Sequence, residues 1–203
     1  MSVQYHYIAR RLHSLSGLIP VGVFLLVHLF INSFVFKGPE AYNQAVKLLN
    51  SSPITPWLEV FLIGIPIAYH GFYGLWVTYV CKTNIFRYQY FRNWMFYFQR
   101  VTAVITLIFV LWHVYVLRIA RIFTGTEMTY DIFHQWASNP TYFVIYIICL
   151  LAALFHFANG LWTFAFSWGI TIGPESRKIW TYICVLIFVV LGITGINILT
   201  AFK

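Results

Sequence analysis

The chain has 203 residues, of which 61% are hydrophobic, 21% are aromatic and only 9% are charged. Because soluble domains carry about 25% charged residues, this composition excludes an ordinary soluble protein and predicts one domain (residues 1–203) embedded in a membrane. Thirteen Lys and Arg against five Asp and Glu give a formal charge of +8. Since the sequence has no run of basic residues, this excess indicates membrane topology and not nucleic-acid binding.

Five stretches are long and apolar enough to be transmembrane helices. A helix needs about 20 mostly apolar residues to cross a bilayer, and open sheet edges cannot face lipid. Clusters of Pro, Gly and Asn, which are typical of turns, separate the stretches. We therefore predict an all-α integral membrane protein with five transmembrane helices, the first four forming an up-down bundle. The predicted spans are residues 12–36, 57–80, 94–119, 141–168 and 179–202.

The connections and the flanking charges predict the orientation. Short surface helices are expected over residues 41–49 and within residues 123–135, both on the outer face. Eight Lys and Arg flank the spans on one side and five on the other, which makes the first side cytoplasmic. The N-terminus is then cytoplasmic and the C-terminus lies outside. The eight are Arg10, Arg11, Lys82, Arg87, Arg92, Arg100, Arg177 and Lys178, and the five are Lys37, Lys47, Arg118, Arg121 and Lys203.

Four histidines, one in each of the first four predicted helices, are the strongest functional signal. An ionisable side chain in hydrocarbon is costly and marks a functional site by default. With a rise of 1.5 Å per residue, His28 and His113 lie about 24 and 28 Å from the inner ends of their helices. His70 and His156 lie about 15 and 18 Å from theirs. The histidines therefore form an outer pair and an inner pair, each drawn from alternate helices.

Paired imidazoles at matched depths predict haem. Neutral imidazole is a good iron ligand, and no C-x-x-C-H motif for covalent attachment occurs in the sequence. We predict two bis-histidine haems inside the first four helices. The alternatives are a hydrogen-bonded helix contact or a proton relay, as in a small transporter. Small residues at the inner level favour room for a porphyrin, although close helix packing explains them too; they are Gly17, Gly71, Gly74, Ala103 and Gly160.

Polar residues near the span ends are candidates for supporting roles. Arginine suits carboxylates, so several basic residues are candidate partners of haem propionates, although most interfacial cations only reach toward water. Glu59, near the outer end of the second span, is a candidate proton carrier for a quinone, or simply an interfacial acid. The propionate candidates are Arg10, Arg11, His13, Arg92 and Arg100 on the inner side, and Arg118 and Arg121 on the outer side.

Long strings of this sequence resemble the cytochrome b558 family, the di-haem membrane anchors of succinate dehydrogenase in Bacillus-type bacteria. The resemblance covers nearly the whole chain, and the order and spacing of the strings fit. Ala103 departs from the Gly expected after Gln-Arg-x-Thr. The strings are Arg10-Arg11-Leu12-His13-Ser14-Leu15, Tyr69-His70, Gln99-Arg100-Val101-Thr102, Trp112-His113, Phe155-His156-Phe157 and Asn159-Gly160-Leu161-Trp162.

The resemblance implies a respiratory role in the bacterial cytoplasmic membrane. A flavoprotein subunit and an iron–sulfur subunit would bind the cytoplasmic face, with the dicarboxylate site of this tricarboxylic acid cycle enzyme in another subunit. Electrons would pass through an inner haem b held by His70 and His156. They would continue through an outer haem b held by His28 and His113 to menaquinone near the outer face. This ligand set agrees with the depth argument.

Three alternatives remain open from the sequence. A fumarate reductase anchor of the same architecture would run in the opposite direction. The cytochrome b subunit of a nitrate reductase, formate dehydrogenase or hydrogenase also has four or five helices and haem-binding histidines. A transporter using the histidines as a relay would bind no haem.

Overall fold

A computed structural model describes residues 3–203, with side chains from residue 6 onward except that of residue 121. This part of the chain is helical and contains no strand. Five helices are long and apolar enough to cross a membrane, which confirms the predicted fold class. They are α1 (residues 3–37), α3 (Thr55–Val80), α4 (Phe91–Thr124), α6 (Pro140–Ser167) and α7 (Pro174–Ala201).

Two short helices connect the long ones on the predicted outer side. The helix predicted over residues 41–49 is present as α2 (Pro39–Ser51). The second, α5, spans Tyr130–Ser138 and begins later than expected, because α4 continues to Thr124. A helix can extend past the hydrocarbon boundary into the polar interface, so charges such as Arg118 need not end it.

Proline and asparagine residues at the turns mark where several helices begin. Proline stands in the first turn of α2, α6 and α7, where its fixed φ suits a helix and its missing N–H is not needed. The Oδ1 atom of Asn139 accepts hydrogen bonds from the backbone N–H groups of Thr141 and Tyr142 at 3.0 and 3.3 Å. This amide caps α6 by satisfying two of its free donors.

Three of the long helices contain a π-helical segment. The segments are Gly17–Gly22 in α1, Glu59–Gly64 in α3 and Tyr115–Ile119 in α4. Pro20 lies inside the first, and Pro66 lies two residues after the end of the second. Because proline lacks an N–H and clashes with the preceding turn, it explains the wider winding in α1 and α3. The segment in α4 has no proline, and such segments often mark functional sites.

The best-buried apolar cluster lies in the outer half of the molecule. The Leu154 side chain in α6 is fully buried, and Phe202, just after α7, is 3% exposed. The Phe202 ring lies 4.9 Å from that of Tyr42 in α2. The cluster joins α1, α2, α5 and α7 to α6. The long helices display extensive apolar surface elsewhere. Such broad apolar exposure is typical of a lipid-facing surface.

Candidate functional site

Two pairs of histidines face each other across the bundle. The ring of His28 in α1 lies 5.9 Å from that of His113 in α4, measured between ring centres, with an interplanar angle of 85°. The ring of His70 in α3 lies 6.1 Å from that of His156 in α6, with an angle of 83°. The pairs are those that helix depth predicts, and each joins alternate helices.

The separation within each pair fits a single shared metal ion. A metal–imidazole bond is about 2 Å long, and a ring nitrogen lies about 1 Å from its ring centre, so two imidazoles on one ion have centres about 6 Å apart. The distances of 5.9 and 6.1 Å match this value. The residues present therefore fit bis-histidine ligation of iron at both positions.

Backbone carbonyls fix both imidazoles of the inner pair. The Nδ1 atom of His70 lies 2.9 Å from the carbonyl oxygen of His13. The Nδ1 atom of His156 lies 3.2 Å from the carbonyl oxygen of Gln99. When Nδ1–H donates to a carbonyl, the tautomer is set and Nε2 keeps its lone pair for a metal. The His70 ring is thus oriented with Nε2 as the available ligand atom. At His156 the same orientation follows when Nδ1–H donates to the Gln99 carbonyl, although the Nε2 atom of the Gln99 amide also lies 3.2 Å from Nδ1.

α1 makes an especially close approach to His70. The ring of His13 stacks on that of His70 with centres 4.1 Å apart and planes 5° apart. A Cβ atom at Gly17 would lie 2.5 Å from Nδ1 of His70 and closer still to its Cε1 atom. The hydroxyl of Tyr69 donates to the carbonyl oxygen of Ala9 at 2.9 Å. Only a residue without a side chain fits at position 17.

Side-chain amides surround His156, a feature that the sequence reasoning did not single out. Gln99 donates through Nε2 to the carbonyl oxygen of His156 at 3.0 Å. The Oε1 atom of Gln99 accepts from Nδ2 of Asn159 at 2.7 Å. Asn159 also donates to the carbonyl oxygen of Met95 at 3.2 Å. The sequence does hold one sign of this network, because Asn159 is a polar amide in an apolar helix, one turn after His156.

Aromatic rings and unpaired polar atoms surround the outer pair. The rings of Phe109 and Tyr146 lie 5.3 and 6.3 Å from that of His113. Among the described residues, neither Nδ1 of His113 nor the hydroxyl of Tyr146 has a hydrogen-bond partner, although both atoms are buried. Leaving such atoms unpaired is costly. The imidazole nitrogen is available to a metal or to an acceptor on a bound group.

The comparisons with known proteins agree with this arrangement. A family model described as the succinate dehydrogenase/fumarate reductase transmembrane subunit matches residues 81–195. The succinate dehydrogenase cytochrome b558 subunit of Bacillus subtilis (strain 168) is 46% identical over 202 residues, which is 100% of both chains. This chain belongs to the succinate dehydrogenase/fumarate reductase transmembrane subunit family. The resemblance inferred from the sequence is confirmed, and this family member is a multi-pass protein of the bacterial cytoplasmic membrane.

In this transmembrane subunit, the inner basic residues contact other groups of the protein. Arg11 donates to the carbonyl oxygen of Ser167. Arg92 donates to the hydroxyl of Thr181 and lies 3.6 Å from the ring centre of Trp162. Arg10 is exposed. Propionate binding by these residues stays a prediction, and for Arg121 the side chain lies outside the described part of the structure.

Two candidates from the sequence meet at the outer end of the subunit. Arg118 and Glu59 form an ion pair of 2.5 Å, and their side chains are 39% and 33% exposed. Each lies in a π-helical segment, Arg118 in that of α4 and Glu59 in that of α3. A residue proposed for a propionate thus pairs with the residue proposed for proton transfer.

Two other histidines of the subunit, His6 and His134, make contacts outside both pairs. His6 stacks on Trp76 with ring centres 5.5 Å apart, and His134 bonds through Nδ1 to the carbonyl oxygen of Phe202 at 2.9 Å. In the described part of the chain, no three His, Cys, Asp or Glu side chains cluster as a metal site. The two histidine pairs are therefore the candidates for metal ligation there.

Proposed function

We propose that this chain is the di-haem cytochrome b anchor of a succinate:menaquinone oxidoreductase. The observation that carries the proposal is the occurrence of two histidine pairs with ring centres 5.9 and 6.1 Å apart, each fit to hold one iron. The name of the B. subtilis relative, a cytochrome b558 subunit of succinate dehydrogenase, supports both the haem and the enzyme. Two haem b groups and menaquinone are part of this proposal.

The histidines divide the path across the membrane into two steps. His70 and His156 hold the group nearer the cytoplasm, and His28 and His113 hold the group nearer the outside. Bound there, the irons supply reversible one-electron transfer from an iron–sulfur subunit at the cytoplasmic face to menaquinone near the outer face. With two imidazoles on each iron, the four histidines would leave no coordination site for a substrate and would restrict the chemistry to electron transfer.

The soluble partners are a flavoprotein and an iron–sulfur subunit. The family description and the relative's name support an anchor that assembles with a dehydrogenase or reductase. The excess of basic residues on the inner side supports docking at the cytoplasmic face. Lipid surrounds the five spans, and nucleic acid has no role in this proposal.

Haem content and single histidine variants test the ligand sets. The purified wild-type protein should contain two haems per chain and show the reduced-minus-oxidised bands of a low-spin cytochrome b. His70→Leu and His156→Leu should remove one spectral component, and His28→Leu and His113→Leu the other. His6→Leu is the matched control, because His6 stacks on Trp76 and lies outside both pairs; it should retain both components.

Two results would contradict the proposal. A protein without cytochrome b bands would instead support a histidine relay. Loss of the same component in His28→Leu and His70→Leu would overturn the pairing. Because cofactor binding contributes to stability, the amount of each variant in the membrane must be measured, which separates lost ligation from lost assembly.

A fumarate reductase anchor is the second candidate, since the matching family covers both enzymes. The direction of electron flow depends on the potentials of the haems and the quinone and on the soluble subunits. Potentiometric titration of both components, together with the identity of the co-purifying flavoprotein, distinguishes the two.

A further inference from the structure

A cleft of about 570 Å³ lies between the inner ends of α3 and α4. The end of α3 and the following loop contribute polar side chains, including Thr78, Lys82 and Thr83. From α4, Tyr97 and Arg100 line the same cleft. On α3 the cleft lies about 12 Å from His70 toward the cytoplasmic end, since Thr78 follows His70 by eight residues. On α4 it begins at Arg100, next to Gln99, which bonds to His156.

The guanidinium of Arg100 belongs to a residue that lines this cleft, and one of its donors has no partner in the described part of the chain. Its NH1 atom donates to the carbonyl oxygen of Phe96 at 3.2 Å, and its Cζ atom lies 3.3 Å from the ring centre of Phe96. Its Nε atom is buried and has no hydrogen-bond partner among the described residues. An unpaired buried donor carries a desolvation cost, which an anionic acceptor in the cleft would remove.

The described residues that line this basic cleft include no carboxylate. The ion pair found among the described side chains, between Arg118 and Glu59, is at the opposite end of α3 and α4. Lys82 is exposed and adds a second positive charge to that of Arg100. The hydroxyl groups of Thr78 and Tyr97 add further donors beside these charges. The polar part of the cleft therefore suits a singly charged anion with several acceptor oxygens.

The rest of the cleft is apolar and runs toward the bilayer centre. Val101 and Val104 continue along α4 from Arg100, away from its cytoplasmic end. An occupant with a charged head at Arg100 and an apolar tail along these valines would match both parts. Basic pockets between transmembrane helices on the cytoplasmic side typically bind anionic lipid head groups.

We propose that this cleft binds the phosphodiester head group of an anionic phospholipid, with Arg100 and Lys82 as its basic ligands. The acyl chains lie along Val101 and Val104. The inference is independent of the haem assignment and requires only that the α3–α4 loop faces the cytoplasm. A haem propionate is a different source of the same anionic chemistry, so the experiment must separate the two.

Native mass spectrometry of the full-length protein, purified from membranes with its co-purifying subunits, tests the proposal. The delipidated sample is titrated with dioctanoyl phosphatidylglycerol and, as neutral reference, dioctanoyl phosphatidylcholine. Wild type should prefer phosphatidylglycerol by about tenfold or more, and Lys82→Gln or Arg100→Gln should each weaken its binding about fivefold. Arg87→Gln is the matched control, because Arg87 is on the same loop and lies over the Tyr88 ring, outside the cleft.

Haem absorbance, measured on the same samples, separates the two anion sources. Lys82→Gln should keep both haem components while losing phosphatidylglycerol affinity. Equal binding of the two lipids by wild type would overturn the proposal, as would equal losses in Arg87→Gln and Lys82→Gln. Loss of inner haem in Arg100→Gln with unchanged lipid binding would assign Arg100 to a propionate and also overturn it. If Arg100→Gln does not assemble, Val101→Trp, which fills the apolar part, should exclude phosphatidylglycerol, and unchanged binding would count against the site.

Discussion

Gly17 determines how closely α1 approaches His70. A methyl group at position 17 would overlap the imidazole, coming 2.5 Å from Nδ1, and the bond from Nδ1 to the His13 carbonyl opposes rotation of the ring. Overpacking of this kind costs about 1–3 kcal/mol, which would weaken haem binding at the inner pair about 5- to 150-fold. We expect Gly17→Ala to lose the inner spectral component and keep the outer one.

Gly192→Ala is the control for this substitution. A Cβ atom at the buried Gly192 of α7 would meet Leu151 at 3.5 Å, an ordinary contact. This variant should keep both haem components. Retention of the inner component at wild-type level in Gly17→Ala would show that His70 can move, and would contradict its placement as a fixed ligand.

Gln99 is expected to position His156. Its backbone carbonyl accepts from Nδ1 of His156, and its side chain links the His156 carbonyl to Asn159. Gln99→Leu keeps the carbonyl but breaks the amide network, and loss of such outer contacts typically lowers metal affinity 10–100-fold. The inner haem should bind about 10-fold more weakly or more, with a shifted midpoint potential in a redox titration.

Thr200→Val is the matched control for Gln99, because the Thr200 hydroxyl bonds to the carbonyl oxygen of Ile196 within α7 at 2.8 Å, away from both histidine pairs. Its inner potential should equal that of wild type. If Gln99→Leu keeps the wild-type potential and haem content, the amide only packs the helices together and does not position His156.

The sequence predicts the histidine pairs better than their surroundings. Depth arithmetic needs only helix boundaries and a constant rise, so it pairs His70 with His156 reliably. The amide of Gln99 depends on helix rotation and on the position of Asn159 in another helix. Hydropathy predicts neither the rotation of a helix nor the position of a residue in a neighbouring helix, so these contacts require the three-dimensional structure.

At the scale of elements, the five spans follow from hydropathy, whereas the π-helical segments do not. Over a single turn, α and π winding place nearly the same residues on the apolar face, so a window average cannot distinguish them. Proline offers a local reason in α1 and α3, but Tyr115–Ile119 of α4 has none. The segments in α3 and α4 carry Glu59 and Arg118, and their ion pair joins the two helices at the outer end.

Variants of this ion pair test whether Glu59 carries protons for the quinone. A pair exposed by about a third contributes little to stability, so Glu59→Gln and Arg118→Gln should both assemble with two haems. Arg118→Gln breaks the pair but keeps the carboxylate. If Glu59 is the carrier, succinate:quinone turnover of the complex falls at least about tenfold in Glu59→Gln and much less in Arg118→Gln. Equal turnover in wild type and Glu59→Gln would leave the residue as an interfacial acid.

At the scale of the whole molecule, the proposed function gives this chain an electron path and leaves the dicarboxylate site to another subunit. The four paired histidines are the proposed metal ligands, and the sequence has no flavin-binding fingerprint. We expect the chain, purified without partners, to bind haem and to give no succinate-dependent dye reduction. Adding the flavoprotein and iron–sulfur subunits should restore it. Dye reduction by the chain alone would place a dehydrogenase site within it.

The orientation of the molecule follows from the charge asymmetry and the odd number of spans. Eight basic residues on one side against five on the other predict a cytoplasmic N-terminus, and five crossings then predict that Lys203 lies outside. Alkaline phosphatase fused after Lys203 should be active, because it folds only outside the cytoplasm, whereas green fluorescent protein at the same position should stay dark. The control carries the fusions in the α3–α4 loop after Lys82, where the signals should reverse. The opposite pattern would move the inner histidine pair to the outside and reverse the direction in which electrons cross.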